Sequence, residues 1–415
     1  MAKGTVTAPP SKSYTHRAMV LGALTHNHFT LKNALISEDT KATLDALFAM
    51  GTEVRSRSGG VNIHCEELRA SPGVIDAKNS GTTIRLMTGI ASLLPSETTF
   101  TGDDSLMKRP MGPLVDSLAK LGATCKYLGR QGCPPLAIKG PINKSKTSIV
   151  GGVSSQFVSS LLIACTQKAG ETEIELEGEL RSRPYVDITL RMLEEFGGRA
   201  DAKTSGFVVP GGQHLARDSY SVPGDYSSAS FPLAAAAATG GDVTVRSLDS
   251  KSPQGDKDIL NHLRSFGAEV SATSDSVRVG GGRLRGVHID VRHTPDLFPI
   301  LAVLGCIADG KTVLSGGENL RDKESDRIAT TVEFLSAMGA TILPKKDGCE
   351  IIGGEKLHGA TVRTEGDHRI LMAAAVAGLT CTSETRIEDD KSFHVSYPGF
   401  LRDMHQLGCR LEVRK

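Results

Sequence analysis

"TVEFLSAMGATIL", residues 331–343, reads as the end of an amphipathic helix, a stop and the start of a strand. Glycine suits the left-handed position just past a helix C-terminus, so Gly339 marks the stop. The same pattern recurs in "LDALFAMGTEV" (44–54), "LVDSLAKLGATCKY" (114–127), "TLRMLEEFGGRA" (189–200), "ILNHLRSFGAEVSA" (259–272) and "LRDMHQLGCRLEV" (401–413). The marking glycines are Gly51, Gly122, Gly197, Gly267, Gly339 and Gly408, spaced 71, 75, 70, 72 and 69 positions apart. A near-constant period signals a repeated supersecondary unit. A period near 70 is too long for a common solenoid and fits a βαβ-type unit with extra strands.

A second helix type alternates with the first. "SKSYTHRAMVLGAL" (11–24), "NSGTTIRLMTGIASLL" (79–94) and "YSSASFPLAAAAATGG" (226–241) are three of its six copies; the others begin near residues 154, 294 and 366. These runs are apolar nearly all round and should be buried, whereas the first type carries a charged side and should lie outside. Each buried helix begins with residues that cap free backbone N–H groups. Helix starts that face one another would sum their dipoles into a positive field, a trap for anions. Six units in 415 residues are most simply closed as two domains of three.

Composition narrows the chemistry. Apolar residues make up 39% and charged residues 23%, and the formal net charge is +1. No bulk charge favours nucleic acid or an acidic membrane, so attraction for anions must be local. The eight cysteines are scattered without a C-x-x-C pair. That argues against a zinc site or a disulfide framework and for a reducing compartment. The N-terminal "MAKGTVTAPPSKS" has no signal-peptide apolar core. No apolar run is long enough to span a membrane. A cytoplasmic protein is expected.

Charged motifs gather at the helix starts. Lys12 and Arg17 fall in "SKSYTHR", Arg85 in "NSGTTIR", and Arg109 precedes a proline that enforces an extended backbone. "RDKESDR" (321–327) and "GDHR" (366–369) supply further cations and carboxylates. Taken alone, the first of these reads as a solvated helix face. Jointly, arginines that fork onto phosphate or carboxylate and lysines that exchange protons imply a substrate set with several anionic groups. His16 and His368 receive no catalytic role, and Ser11, Thr15 and His16 read as capping or surface positions. "GCIADGKT" (305–312) matches the P-loop pattern. It closes a helix and enters a strand, the reverse of the order a P-loop needs.

In sequence order "GTVTAPPSKSYTHRA", "NSGTT", "GDDSLMKRPMGPLVDSL", "GGVSSQF", "SRPYVDITL", "GDYSSASF", "NLRDKESDRI", "GDHR" and "SYPGF" resemble the 5-enolpyruvylshikimate-3-phosphate synthase family over essentially the whole chain. The resemblance implies an α/β (α+β) fold, two domains of three βαβαββ repeats around buried helices, described as an inverse α/β barrel. It places residues 11–222 in one domain and residues 1–10 with 223–415 in the other, with the active site in the cleft. It implies transfer of enolpyruvyl from phosphoenolpyruvate to the 5-hydroxyl of shikimate 3-phosphate, without metal or organic cofactor, nucleic acid or membrane, by a monomer.

Carried over by residue, Lys12, Ser13, Arg17, Ser154, Ser155, Gln156, Ser182 and Tyr185 would hold shikimate 3-phosphate, with Lys12 and Gln156 also reaching phosphoenolpyruvate. Asn79, Gly81, Arg109, Arg327 and Arg369 would hold phosphoenolpyruvate. Asp296 would face the shikimate hydroxyls as base, with Asn319 and Lys323 nearby. Glu324 and Lys12 would move protons at C3 and the bridging oxygen. Room beside Gly81 implies inhibition by glyphosate. The chain departs from the family pattern at Val395, where a lysine is common, at Gly366 in place of asparagine, and at Leu86 in place of proline. A related transferase acting on UDP-N-acetylglucosamine uses a cysteine that "GDDSLMKRP" lacks, and a non-catalytic phosphate-ligand protein would not need Lys12, Asp296 and Glu324.

Overall fold

A computed structural model of the chain describes residues 1–57 and 60–414. Twelve α-helices alternate between the two types: α1 (Lys12–Ala23), α2 (Glu38–Ala49), α3 (Gly81–Ala91), α4 (Gly112–Lys120), α5 (Ser155–Gln167), α6 (Arg183–Glu195), α7 (Tyr226–Thr239), α8 (Ile259–Phe266), α9 (Phe298–Ile307), α10 (Arg327–Ala337), α11 (His368–Gly378) and α12 (Phe400–Gln406). Odd-numbered helices are buried on almost every side; even-numbered ones bury one face. All six repeat glycines follow an even-numbered helix with positive φ, from 78° at Gly408 to 108° at Gly122. A side chain there would be strained, which is why the stop is written with glycine.

Each repeat builds its own small sheet, five of four strands and one of two among the described residues. In the four-stranded sheets the first strand runs parallel to the second, as in Lys146–Val150 with Thr172–Glu177. The second pairs antiparallel with the fourth, and the fourth with the third. Neighbouring parallel strands need a crossover, and an odd-numbered helix provides it within four of the repeats, whereas α1 and α7 lead into their second strand from a first strand of another sheet. Strands bury alternate residues, as in His28–Lys32, so one sheet face covers the buried helix.

The chain separates into two units, Lys12–Val222 and Met1–Ser11 with Pro223–Lys415. Strand exchange explains the discontinuity. Lys3–Thr7 lies parallel to Asp242–Arg246 and opens the fourth repeat, whereas Ser219–Ser221 lies parallel to His28–Lys32 and completes the first. Each unit has its own apolar core, built on Leu21, Met87 and Leu161 in one and on Phe231, Leu301 and Met372 in the other. No described helix is long and apolar enough to cross a membrane, and all eight cysteines are free.

Three expectations need correction. The strand read after Gly408 does not form: the last sheet holds only Thr361–Val362 and Arg386–Ile387. The end of α12 turns instead to the edge strand Lys3–Thr7, where Lys3 N–H donates to Leu407 O at 2.8 Å. Thr294 does not cap α9, because a 3-10 turn, Pro295–Leu297, intervenes and Thr294 makes no side-chain cap bond. Ser11, Thr15 and His16 are fully buried rather than surface positions.

Close helix packing in the first unit depends on glycine once more. A Cβ on Gly89 of α3 would lie 2.3 Å from Ser160 Oγ and 3.0 Å from Ser160 O of α5. Gly89→Ala should therefore destabilise the protein by about 1–3 kcal/mol, the usual cost of overpacking, measured as a lower denaturant midpoint at unchanged m-value.

Candidate active site

In the unit Lys12–Val222 the starts of α1, α3 and α5 are tied together by side chains. Lys12 Nζ meets Asp39 Oδ2 of α2 at 3.0 Å. Arg85 donates from Nη1 to Gln156 Oε1 (2.7 Å) and Ser154 Oγ (3.3 Å), and Gln156 Nε2 donates to Thr82 Oγ1 (2.8 Å). Ser80 caps α3 and Ser154 caps α5. Ser155 is buried beside them, while Ser13 on the first turn of α1 is half-buried. Thus the predicted residues of "SKS", "NSGTT" and "SSQ" converge, and Arg85, which carried no assigned role, joins α3 to α5.

Arg17 is 1% exposed, and its four hydrogen bonds all go to neutral oxygens: Thr189 Oγ1, Ser13 O, Ser159 Oγ and Tyr185 O. Burial without a carboxylate lowers its pKa to about 10, although Tyr14 and Tyr185 act the other way. This is a positive charge that the surrounding protein leaves uncompensated. Ser182 precedes α6 in the left-handed region, with φ 53°, an uncommon conformation for serine. Its carbonyl accepts from Tyr185 N–H at 3.1 Å.

Asn79 and Gly81 flank the α3 cap. Arg109, 7% exposed and extended before Pro110, donates from Nη2 to Asn79 Oδ1 and to Ser105 Oγ (3.3 Å). Asn79 in turn donates to Asp103 Oδ2 at 2.7 Å. A Cβ on Gly81 would stand 3.3 Å from Arg109 Nη1 and 3.6 Å from Arg85 Nη1. Glycine keeps this corner open.

The other unit holds a carboxylate–arginine cluster. Arg327 is buried at the start of α10 and donates from Nε to Asp367 Oδ2 (2.8 Å), from Nη1 to Asp296 Oδ1 (2.6 Å) and from Nη2 to Glu324 Oε2 (2.7 Å). Arg369 Nη2 reaches Asp296 Oδ2 at 3.2 Å, while its buried Nε and Nη1 have no hydrogen-bond partner among the described residues. Burial pushes the Asp296 carboxyl up, yet Arg369, Arg327 and Lys323 outweigh it. Nearby opposite charge favours the ionised form, so the group is held well below the usual carboxylate range. Asn319 is nearly buried on the preceding 3-10 turn, with Lys323 just after it. The "RDKESDR" cluster therefore splits: Arg321 and Asp326 pair in solvent at 2.7 Å, and Arg327 turns inward. Gly366 takes φ 71° and leads into Asp367, which caps α11. That left-handed conformation is open to glycine and asparagine alike.

One group escaped the sequence reading. Asp256 is buried and accepts a hydrogen bond from Ser227 Oγ. Burial, then the Asp296 charge, raises its pKa to about 7. "SPQGDKD" carries only turn signals, and burial of a carboxyl within such a segment has no sequence signature.

Breaking a buried ion pair leaves an uncompensated charge. Arg327→Met strands Asp367 and Asp296, and should cost about 3–5 kcal/mol in urea unfolding at neutral pH. Because Asp296 is depressed in the folded state, its share of stability is present above the normal carboxylate range. It should begin to fall as pH enters that range, where the unfolded state takes up the proton, and go on being lost well below it.

The family model of EPSP synthase (3-phosphoshikimate 1-carboxyvinyltransferase) matches residues 1–404. The chain is 47% identical over 414 residues to a 3-phosphoshikimate 1-carboxyvinyltransferase of Methanocella arvoryzae, covering 99% of this chain and 97% of that one. It is 45% identical over 411 residues to the enzyme of the same name from Methanocorpusculum labreanum, covering 98% and 96%. A solved EPSP synthase from Acinetobacter baumannii superposes with a TM-score of 0.83 at 31% identity, over 100% of this chain and 97% of that one. The chain therefore belongs to the EPSP synthase (3-phosphoshikimate 1-carboxyvinyltransferase) family, the enolpyruvyl transferases of the shikimate pathway.

Proposed function

We propose that the two clusters act together on one pair of substrates, shikimate 3-phosphate and phosphoenolpyruvate. Lys12, Ser13, Arg17, Ser154, Ser155, Gln156, Ser182 and Tyr185, with Asn319 and Lys323, hold shikimate 3-phosphate. Asn79, Gly81, Arg109, Arg327 and Arg369 hold phosphoenolpyruvate. The observation that carries this reading is Arg369: a buried cation 3.2 Å from Asp296 with two N–H donors unfilled. Buried donors are almost always satisfied, so such a pair calls for an anion.

The same pair suggests how the base is armed. Asp296 between two arginines is a weak base. An anionic ligand on Arg369 and Arg327 takes up part of their charge, and Asp296 becomes basic enough to accept the proton of the 5-hydroxyl. The hydroxyl oxygen then bonds to C2 of phosphoenolpyruvate while C3 gains a proton. The adduct expels phosphate by cleavage of the C2–O bond and returns a proton from C3. Glu324, 2.7 Å from Arg327 Nη2, and Lys12 serve these proton transfers. The cations stabilise the leaving phosphate. A working monomer is part of the same proposal. Eight unpaired cysteines support a cytoplasmic setting.

Phosphate release should require both substrates together, and release with either alone would overturn the reading. Asp296→Asn should lower kcat by about 10²–10⁴, the range for losing a general base, with shikimate 3-phosphate binding still measurable by calorimetry. Wild-type turnover in that variant would remove Asp296 from the mechanism. The open corner at Gly81 predicts competition by glyphosate against phosphoenolpyruvate. Gly81→Ala, whose methyl crowds Arg109, should raise the phosphoenolpyruvate KM by about tenfold, ~1.4 kcal/mol, and weaken glyphosate inhibition in parallel.

A further inference from the structure

His16 has no part in the chemistry above, yet it lies fully buried among the starts of three helices. Its Nδ1 is 2.7 Å from Thr43 Oγ1 of α2, which is 2.7 Å from Thr83 Oγ1 of α3. Thr83 Oγ1 lies 2.7 Å from Ser80 Oγ, the α3 cap, and 3.1 Å from Asp39 O. Asp39 also receives Lys12 Nζ. Lys12 and His16 are one turn apart on α1, as Asp39 and Thr43 are on α2, so two contacts clip these helices together. Thr83 then extends the clip to α3.

The direction of the hydrogen bonds follows from counting protons. Asp39 O only accepts. If Thr83 gives its single proton to Asp39 O or to Ser80 Oγ, it must accept from Thr43, and Thr43 must accept from His16 Nδ1–H. The opposite direction puts the imidazole proton on Nε2, which is buried and has no partner among the described residues. A stranded N–H would result, which is costly, and Asp39 O would keep only its helix bond. His16 is therefore neutral with its proton on Nδ1. Burial, with Lys12 and Arg17 close by, also keeps the imidazole uncharged.

We infer that His16, Thr43 and Thr83 form a one-way hydrogen-bond relay that positions the α3 start, and with it Asn79 and Gly81, relative to Lys12. These are positioning residues, since none is assigned to a substrate. Arg17 is anchored separately, through Thr189, Ser159 and Tyr185. Loss of the relay should therefore weaken phosphoenolpyruvate recognition far more than that of shikimate 3-phosphate, which keeps Arg17 and leans on α3 only through Gln156 and Ser154.

The test is steady-state kinetics with each substrate varied in turn. Thr83→Val keeps the side-chain shape and removes the hydroxyl. It should raise the phosphoenolpyruvate KM by about fivefold to tenfold, roughly the worth of one hydrogen bond. The shikimate 3-phosphate KM and kcat should change less than about twofold, within the scatter of a surface change. Thr83→Ser should behave as wild type, and Thr43→Val should match Thr83→Val and stand in for it if that variant does not fold. An unchanged phosphoenolpyruvate KM, an equal rise in both KM values, a fall confined to kcat, or failure of the serine variant would each overturn the relay. The proposal rests on assigning Asn79, Gly81 and Arg109 to phosphoenolpyruvate, so Arg109→Ala belongs in the same assay. A flat phosphoenolpyruvate KM there would reject that assignment; a rise there with Thr83→Val flat would reject the relay alone.

Discussion

Two adjacent parallel strands have their ends at opposite edges of the sheet, so a tight turn does not join them. Every repeat of this chain opens with such a pair, and the chain reaches the second strand through a crossover helix, which in the first and fourth repeats starts from a strand of the other sheet because Lys3–Thr7 and Ser219–Ser221 are exchanged. In each repeat that crossover is a helix with apolar residues on all sides, enclosed by its own sheet and by neighbouring repeats. Its N-terminus is the one part that stays polar, because free backbone N–H groups need caps. Placing chemistry there follows from the topology: the odd-numbered helices bring Lys12, Gly81, Gln156 and Arg369 to their first turns without interrupting a core.

Three buried arginines show how charge is distributed over these starts. Arg327 has three carboxylates around it and is firmly ionised, with Asp367, Glu324 and Asp296 outweighing the cost of burial. Arg17 has neutral partners alone and is depressed by burial. Arg369 lies between these cases, with one carboxylate contact and two idle donors. The first is structural, and it also bears on the charge of Asp296. The other two retain unspent attraction for anions. A protein of near-zero net charge needs that if it is to collect two highly anionic substrates locally.

The repeat was plain in the sequence because it is written twice per unit, once as the glycine stop and once as the apolar helix. Both signals are local: a left-handed residue and a helix periodicity need no distant partner to be recognised. The motifs of the proposed site were legible too, since helix caps and charged residues lie within a few positions of each other. Less visible was which members of a cluster face inward. Apart from the family resemblance, which singled out Arg327, "RDKESDR" gave no local sign that Arg321 would pair in solvent while Arg327 entered a buried network. Asp256 and His16 looked like turn and surface residues, and only their neighbours from other helices bury them. The strand expected after Gly408 failed for the same reason: a strand needs an available edge, and the chain end was drawn to Lys3–Thr7.

By itself the sequence determined the period, the helix ends, the two helix types and the residues stationed at the helix starts. These depend on backbone sterics and on the spacing of apolar side chains, which act over one or two turns. The tertiary structure alone decided the charge state and partners of those residues. Depression of Asp296, the idle donors of Arg369 and the neutral imidazole of His16 arise from groups far away along the chain. Burial removes the water that would otherwise screen and satisfy them, so their properties are set by what the fold packs beside them.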